Sequence, residues 1–143
     1  MKKSRRMQIL VDLAKRKEDV AAQQLARDKA KVQHDLKKLN ELKDYAGQYE
    51  SERNLLGLSP YLTTNYQHFV DRVQQAIVQQ EAAVGRAEQQ ADMSMRRWLQ
   101  TRTKTKSMDW LKEKSHKVEL AVEAKQEQRQ SDEFAMRRFL DSM

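Results

Sequence analysis

Apolar side chains recur along this chain at spacings of three, four and seven. Leu25, Val32, Leu39, Leu42, Ala46, Tyr49 and Leu56 form one such row. Tyr66, Phe69, Val73, Ala76 or Ile77, Val84, Ala87, Ala91, Met95 and Trp98 form a second. This period is helical. A stripe so narrow suits a two-stranded coiled coil better than a helix in a globular core. Asp28 and Asp35 stand where apolar residues would complete the first row, which predicts a seam of modest stability. Between the rows, residues 57–65 read GLSPYLTTN and hold the only proline. Gly57 suits the left-handed position just past a helix end. Ser59 can cap the next helix with Pro60 at its first position, and Thr64 with Gln67 offers a second start with capping-box spacing. The pattern predicts an all-α fold: a long antiparallel two-helix coiled-coil hairpin whose second helix is longer and overhangs. As one coiled-coil domain over 1–143, it has helix 1 over about 4–56, a loop at 57–65 and helix 2 from about 61 to 140.

Folding back about that loop makes residue i face roughly residue 118 − i, so the first arm is used up near about position 115. Roughly 25 residues of helix 2 then overhang as a single helix, which is marginal in water. Phe134, Phe139 and Leu140 are the overhang's candidate contacts with a partner or a second copy. Residues 101–107, TRTKTKS, alternate threonine with cations and predict a locally weak helix that can bend or fray.

Composition narrows the function classes. The 143 residues carry 28 Lys plus Arg against 21 Asp plus Glu, a formal charge of +7, and no cysteine. Disulfides, thiolate metal sites and thiol nucleophiles are excluded. No apolar run approaches the roughly 18 residues of a membrane span. The basic stretch Met1 to Arg6 lacks the following apolar run of a secretory signal, so a cytoplasmic protein is expected. Glycine-rich phosphate loops, HExxH and GxSxG are missing, and His34, His68 and His116 lie far apart. The expectation is a non-enzyme with no catalytic residues, no metal and no cofactor.

Charge is unevenly spread: residues 1–38 net +7, 39–95 net −4, 96–118 net +6 and 119–143 net −2. The fold-back superposes the two positive blocks into a cationic base, which invites an acidic partner. Lys15, Arg16, Arg96, Arg97, Arg102, Lys104 and Lys106 are the candidate charge partners there. Trp98 and Trp110 among these cations could stack a nucleic-acid base, but both also fit packing positions, and no zinc-finger or RNA-binding signature supports nucleic acid. Met7, Ile9, Leu10 and Leu13 make a short cationic amphipathic segment that either meets a membrane surface or packs against Met108 and Leu111.

Near the loop, Lys38, Leu42, Tyr45 and Tyr49 are spaced four, three, four, and Phe69, Val73, Ala76 and Gln80 repeat that spacing. The fold-back pairs 38 with 80, 42 with 76, 45 with 73 and 49 with 69. Leu39, Ala46, Val70 and Ile77 compete for the same seam. Either the eight residues form part of the seam, or some remain outside it as an aromatic docking patch.

DYAGQYESERNLL (Asp44 to Leu56), NYQHFVDRVQQAI (Asn65 to Ile77) and DEFA (Asp132 to Ala135) resemble the FliJ-type flagellar export protein family. The resemblance implies a soluble, motility-related component of the bacterial flagellar type III export apparatus. It implies a two-helix coiled coil similar to the central stalk of rotary ATPases. The expected partners are the hexameric export ATPase, the ATPase regulator, the cytoplasmic domain of the export-gate membrane protein and empty export chaperones. The family's gate-binding surface maps onto Lys38, Leu42, Tyr45, Tyr49, Phe69, Val73, Ala76 and Gln80. Familiar members carry Gln where this chain has Lys38, and His where it has Gln80. The ATPase-facing contacts fall to the seven basic residues of the base. The expected location is cytoplasmic, peripheral to the inner-membrane export apparatus. The alternatives are a homologous adaptor of a virulence-type secretion system and a basic coiled-coil nucleic-acid binder.

Overall fold

The computed structural model describes the backbone of residues 2–56 and 60–143, and side chains outside 55–63. Two helices, α1 (Lys3–Leu56) and α2 (Pro60–Asp141), are its elements, and they pack against each other as an all-α hairpin. Ala, Leu, Gln, Glu, Lys and Arg, the straight-chain helix formers, dominate both. Pro60 opens α2, where a missing N–H costs nothing. The capping roles of Gly57 and Ser59 lie outside the described residues. The TRTKTKS stretch is helical, as expected, and continues α2 without a break. Thr103 Oγ1 donates to the Leu99 carbonyl at 2.9 Å and Thr105 Oγ1 to the Thr101 carbonyl at 3.0 Å. Threonine hydroxyls that bond back one turn are satisfied inside the helix at a slight cost to its stability.

The chain forms two compact units, Ala21–Trp98 and Met1–Val20 with Leu99–Met143. In the first, Ala21, Leu25, Asp28, Asp35 and Leu39 of α1 are buried against Tyr66, Val73, Ile77, Val84, Ala87 and Ser94 of α2. Leu39, Val73, Ile77 and Val84 make the apolar cluster of this unit, with Leu36, Leu42, Ala46 and Phe69 packed around it. The competition for the seam thus resolves row by row: Leu39 and Ile77 are buried, Ala46 and Val70 half-buried.

The two aspartates are accommodated by polar partners rather than solvated. Ser94 Oγ donates to Asp28 Oδ2, and Gln24 Nε2 donates to Asp28 Oδ1 at 3.0 Å. The Ser94 hydrogen bond holds the Asp28 carboxyl below the usual aspartate range, outweighing burial, with Gln24, Gln90 and the Arg27 charge adding to it. One heptad on, Gln80 Nε2 donates to the Asp35 backbone carbonyl at 2.8 Å, while Lys31 Nζ reaches Asp35 Oδ2 at 3.3 Å. Numbers of facing residues add to 115 for Asp35 with Gln80 and to 122 for Asp28 with Ser94, either side of the expected 118.

In the second unit Val11 is fully buried, and Ala14 and Thr105 are buried with it. Complete burial of one such valine is worth about 1.5–3 kcal/mol. The N-terminal turn of α1 is tied to α2 by polar contacts: the Ser4 backbone N–H donates to Glu119 Oε1 at 3.0 Å and Ser4 Oγ donates to Glu119 Oε2. Lys2 Nζ pairs with Glu123. These bonds carry the pairing past the expected end near 115. Beyond Glu123 every residue is exposed, so the unpaired stretch is 124–143, shorter than the expected 25 residues. The physical reason is that Glu119 and Glu123 continue the seam row as acceptors for the α1 terminus after its apolar positions have stopped.

Candidate functional site

The aromatic cluster lies in the Ala21–Trp98 unit, where α1 approaches its C-terminal end and α2 begins. Tyr45 and Tyr49 stand one turn apart on α1, and Phe69 of α2 meets both: its centroid is 5.8 Å from Tyr45, edge-on, and 4.1 Å from Tyr49. Tyr49 also stacks on Tyr66 at 5.0 Å with the rings nearly parallel, at 8°. The Arg53 guanidinium lies over the Tyr66 ring, 4.5 Å from its centre. The result is a layered column, Arg53 on Tyr66 on Tyr49, with Phe69 and Tyr45 continuing it outward. Such aromatic pairs are worth roughly 0.5–1.5 kcal/mol beyond the area they bury.

Exposure sorts the eight residues of the double four-three-four pattern. Tyr45 is 52% exposed, Lys38 is exposed, and Leu42, Tyr49, Phe69, Ala76 and Gln80 are half-buried. Val73 is buried in the apolar cluster. Gln80 is engaged with the Asp35 carbonyl. The surface that a partner can reach is therefore Tyr45 with the outer faces of Leu42, Tyr49, Phe69 and Ala76, and Lys38 at its edge. Val73 supports it from beneath. Tyr66 and Arg53 were missed by reasoning from spacing. Tyr66 belongs to the apolar row, and as the second residue of the NYQHF segment, three before Phe69, it lies within reach of Tyr49 from across the seam.

The basic residues fall differently. Lys15, Arg16, Arg102, Lys104 and Lys106 are exposed in the unit containing the α1 N-terminal part, and Arg96 and Arg97 are exposed in the Ala21–Trp98 unit. Trp98 is half-buried, whereas Trp110 is 60% exposed with Lys114 Nζ 5.1 Å from its ring centre. Phe134, Phe139 and Leu140 are all more than half exposed on the unpaired part of α2, where Arg138 lies over the Phe134 ring at 5.7 Å. Among the described residues no three His, Asp or Glu side chains are placed to hold a metal ion, and no helix is long and apolar enough to cross a membrane.

A family model described as Flagellar FliJ protein matches residues 2–143. The chain belongs to the flagellar FliJ protein family. Two relatives of that name extend the match. The flagellar FliJ protein of Salmonella typhi is 27% identical over 134 residues, 92% of this chain and 91% of the relative. That of Escherichia coli strain K12 is 27% identical over 131 residues, 90% and 89% of the two chains. This FliJ-family chain is thus a flagellar export protein, and the segments Asp44–Leu56 and Asn65–Ile77 that carried the resemblance are the two that meet in the aromatic column. Among the described residues of this FliJ member, the cluster is built from aromatic rings, one buried valine and one cation.

Proposed function

We propose that this chain acts as a non-catalytic stalk of the flagellar export apparatus, engaging the export ATPase hexamer through its basic base and the cytoplasmic domain of the export gate through its aromatic patch. The observation that carries the reading is Tyr45: a half-exposed ring held edge-on against Phe69, beside a Tyr49 clamped between Phe69 and Tyr66. Aromatic anchors that are ordered before binding lose little entropy on docking, which is the composition and geometry of an interface hot spot. The exposed cations Lys15, Arg16, Arg96, Arg97, Arg102, Lys104 and Lys106 supply long-range attraction to acidic loops of a ring. Contacts with the ATPase regulator and with empty export chaperones belong to the same reading, and the unpaired, exposed Phe134, Phe139 and Leu140 are apolar contacts for a partner or a second copy. The chain would then work at the cytoplasmic face of the inner membrane, attached through its partners.

The test is a double variant, Tyr45→Ala with Tyr49→Ala, assayed in two ways. Binding to the purified gate cytoplasmic domain falls at least about 30-fold, as expected for two hot-spot residues each worth 1 kcal/mol or more. Stimulation of ATPase turnover stays at the wild-type level. Equal loss of both, with helicity intact, refutes the division of labour between patch and base.

A further inference from the structure

We propose that one face of the unit formed by Met1–Val20 and Leu99–Met143 docks directly on an anionic phospholipid surface. On α1, Lys3, Arg6, Leu10, Leu13 and Lys17 follow spacings of three, four, three, four and so share one flank of the helix. On α2, Lys104, Ser107, Leu111, Lys114 and Val118 repeat the same spacing, with Trp110 at its outer edge. The two stripes lie side by side. Lys3 of α1 lines one shallow groove together with Leu111, Lys114, Ser115, Val118 and Glu119 of α2, the last of these already bonded to Ser4. The pairing of Ser4 with Glu119 sets Lys17 within a turn of Lys104, and Leu10 within a turn of Leu111.

What distinguishes this face is where the carboxylates go. Asp12 and Asp19 fall on the opposite flank of α1, on the row of Arg5, Gln8 and Arg16, and Asp12 accepts from Gln8 there at 2.8 Å. Glu113 lines the opposite groove with Arg5, Gln8 and Lys117, and Asp109 stands one turn before it. Glu18 is half-buried on the seam row, and Glu119 is occupied at the seam by Ser4. The proposed face therefore carries five cations and no free carboxylate.

Its apolar members are exposed, not packed: Leu10 44%, Leu13 46%, Leu111 40%, Val118 56% and Trp110 60%. Leucines and an indole at the centre, with lysine and arginine stems around them, are the chemistry of an interfacial helix. The apolar groups enter the boundary of headgroups and acyl chains while the cations meet lipid phosphates. Two helix flanks in one plane make a broad contact rather than a deep slot for a single peptide helix, which is why a lipid surface is the occupant. Lys104 is the one residue of this face that also belongs to the proposed ATPase contacts. The remaining members test the two readings separately.

The experiment uses the full chain with vesicles of equal parts phosphatidylglycerol and phosphatidylcholine, against pure phosphatidylcholine, at about 0.15 M salt. The chain sediments with the anionic vesicles and not with the neutral ones, and Trp110 emission shifts to the blue, a shift that Trp110→Phe removes. Lys3→Glu with Lys114→Glu lowers vesicle affinity at least about 30-fold, the loss of two cations at about 1 kcal/mol each before the repulsion of the new carboxylates is added. Arg5→Glu with Lys112→Glu changes the net charge equally but lies in the opposite groove with Gln8 and Glu113, and leaves affinity within about threefold. The wild-type spectral shift needs no variant to fold, and far-UV circular dichroism confirms the helicity of both pairs. Equal losses from the two reversals, or no binding to anionic vesicles, overturn the proposal. So does retention of the chain on an acidic amphipathic peptide without any on vesicles, which would give this face to a protein helix.

Discussion

Ser94→Ala isolates the buried polar contact in the seam. Ser94 is 5% exposed and donates to Asp28, itself 9% exposed, in a layer flanked by Leu25 and Ala87. Removing the hydroxyl leaves an ionised carboxylate with Gln24 and Gln90 as its remaining hydrogen-bond donors. A hydrogen bond to a charged group contributes about 1.5–3 kcal/mol, so the expected loss at neutral pH is about 2 kcal/mol. The sign with pH follows from the depressed Asp28 pKa. Its stabilisation is fully present above the unfolded aspartate value of about 3.9 and is lost as pH falls through the lower folded value. The variant has the smaller depression, so its deficit is full at pH 7 and shrinks in acid. Asp28→Leu with Ser94→Ala removes both partners, and apolar replacement of a buried polar pair is close to neutral or stabilising. Urea unfolding followed by circular dichroism, at pH 7 and in steps down to pH 3, measures all three chains. A Ser94→Ala deficit below about 0.5 kcal/mol, a deficit independent of pH, or a double variant weaker than the single one would refute the argument.

Three further outcomes follow from the same packing. Ile77→Ala, in the cluster with Leu39, Val73 and Val84, costs about 2–4 kcal/mol in urea unfolding, whereas the adjacent and 63% exposed Val78→Ala changes stability by less than about 0.5 kcal/mol. Ser4→Ala removes the hydroxyl that, with the Ser4 backbone N–H, holds the Glu119 carboxyl below its usual range. Hydrogen exchange in the first turns of α1 then speeds up at neutral pH, and in the wild type the same protection is lost as acid protonates Glu119. Tyr66→Ala frees Tyr49 from its stack and leaves Arg53 without its ring partner, and gate-domain affinity drops several-fold while Tyr45→Ala alone leaves Tyr49 ring mobility by NMR unchanged.

Heptad spacing made the two helices and their approximate register legible, because apolar residues three and four apart have one way to be buried together. Tyr49 against Phe69 came out as paired. The polar residues in the seam could not be read the same way: Asp28 and Asp35 look like interruptions until Ser94 and Gln80 are brought opposite them from 66 and 45 residues away. Helix ends fixed by hydrogen bonds, such as Ser4 on Glu119, carry no apolar signal, which is why the paired region reaches Glu123. Tyr66 and Arg53 were missed for a related reason, since a stack across the seam depends on ring orientation that spacing does not encode. The TRTKTKS segment is helical as its surroundings implied, with the Thr103 and Thr105 hydroxyls bonded back one turn.

The central claim is that one molecule of this chain holds the ATPase ring and the gate domain at once. Size-exclusion chromatography with light scattering, on the ATPase and the gate cytoplasmic domain mixed with and without the chain, tests it most directly. The account predicts a ternary complex that forms only when the chain is added and disappears with Tyr45→Ala and Tyr49→Ala. Two binary complexes that compete for the chain, so that the gate domain displaces it from the ring, would contradict it.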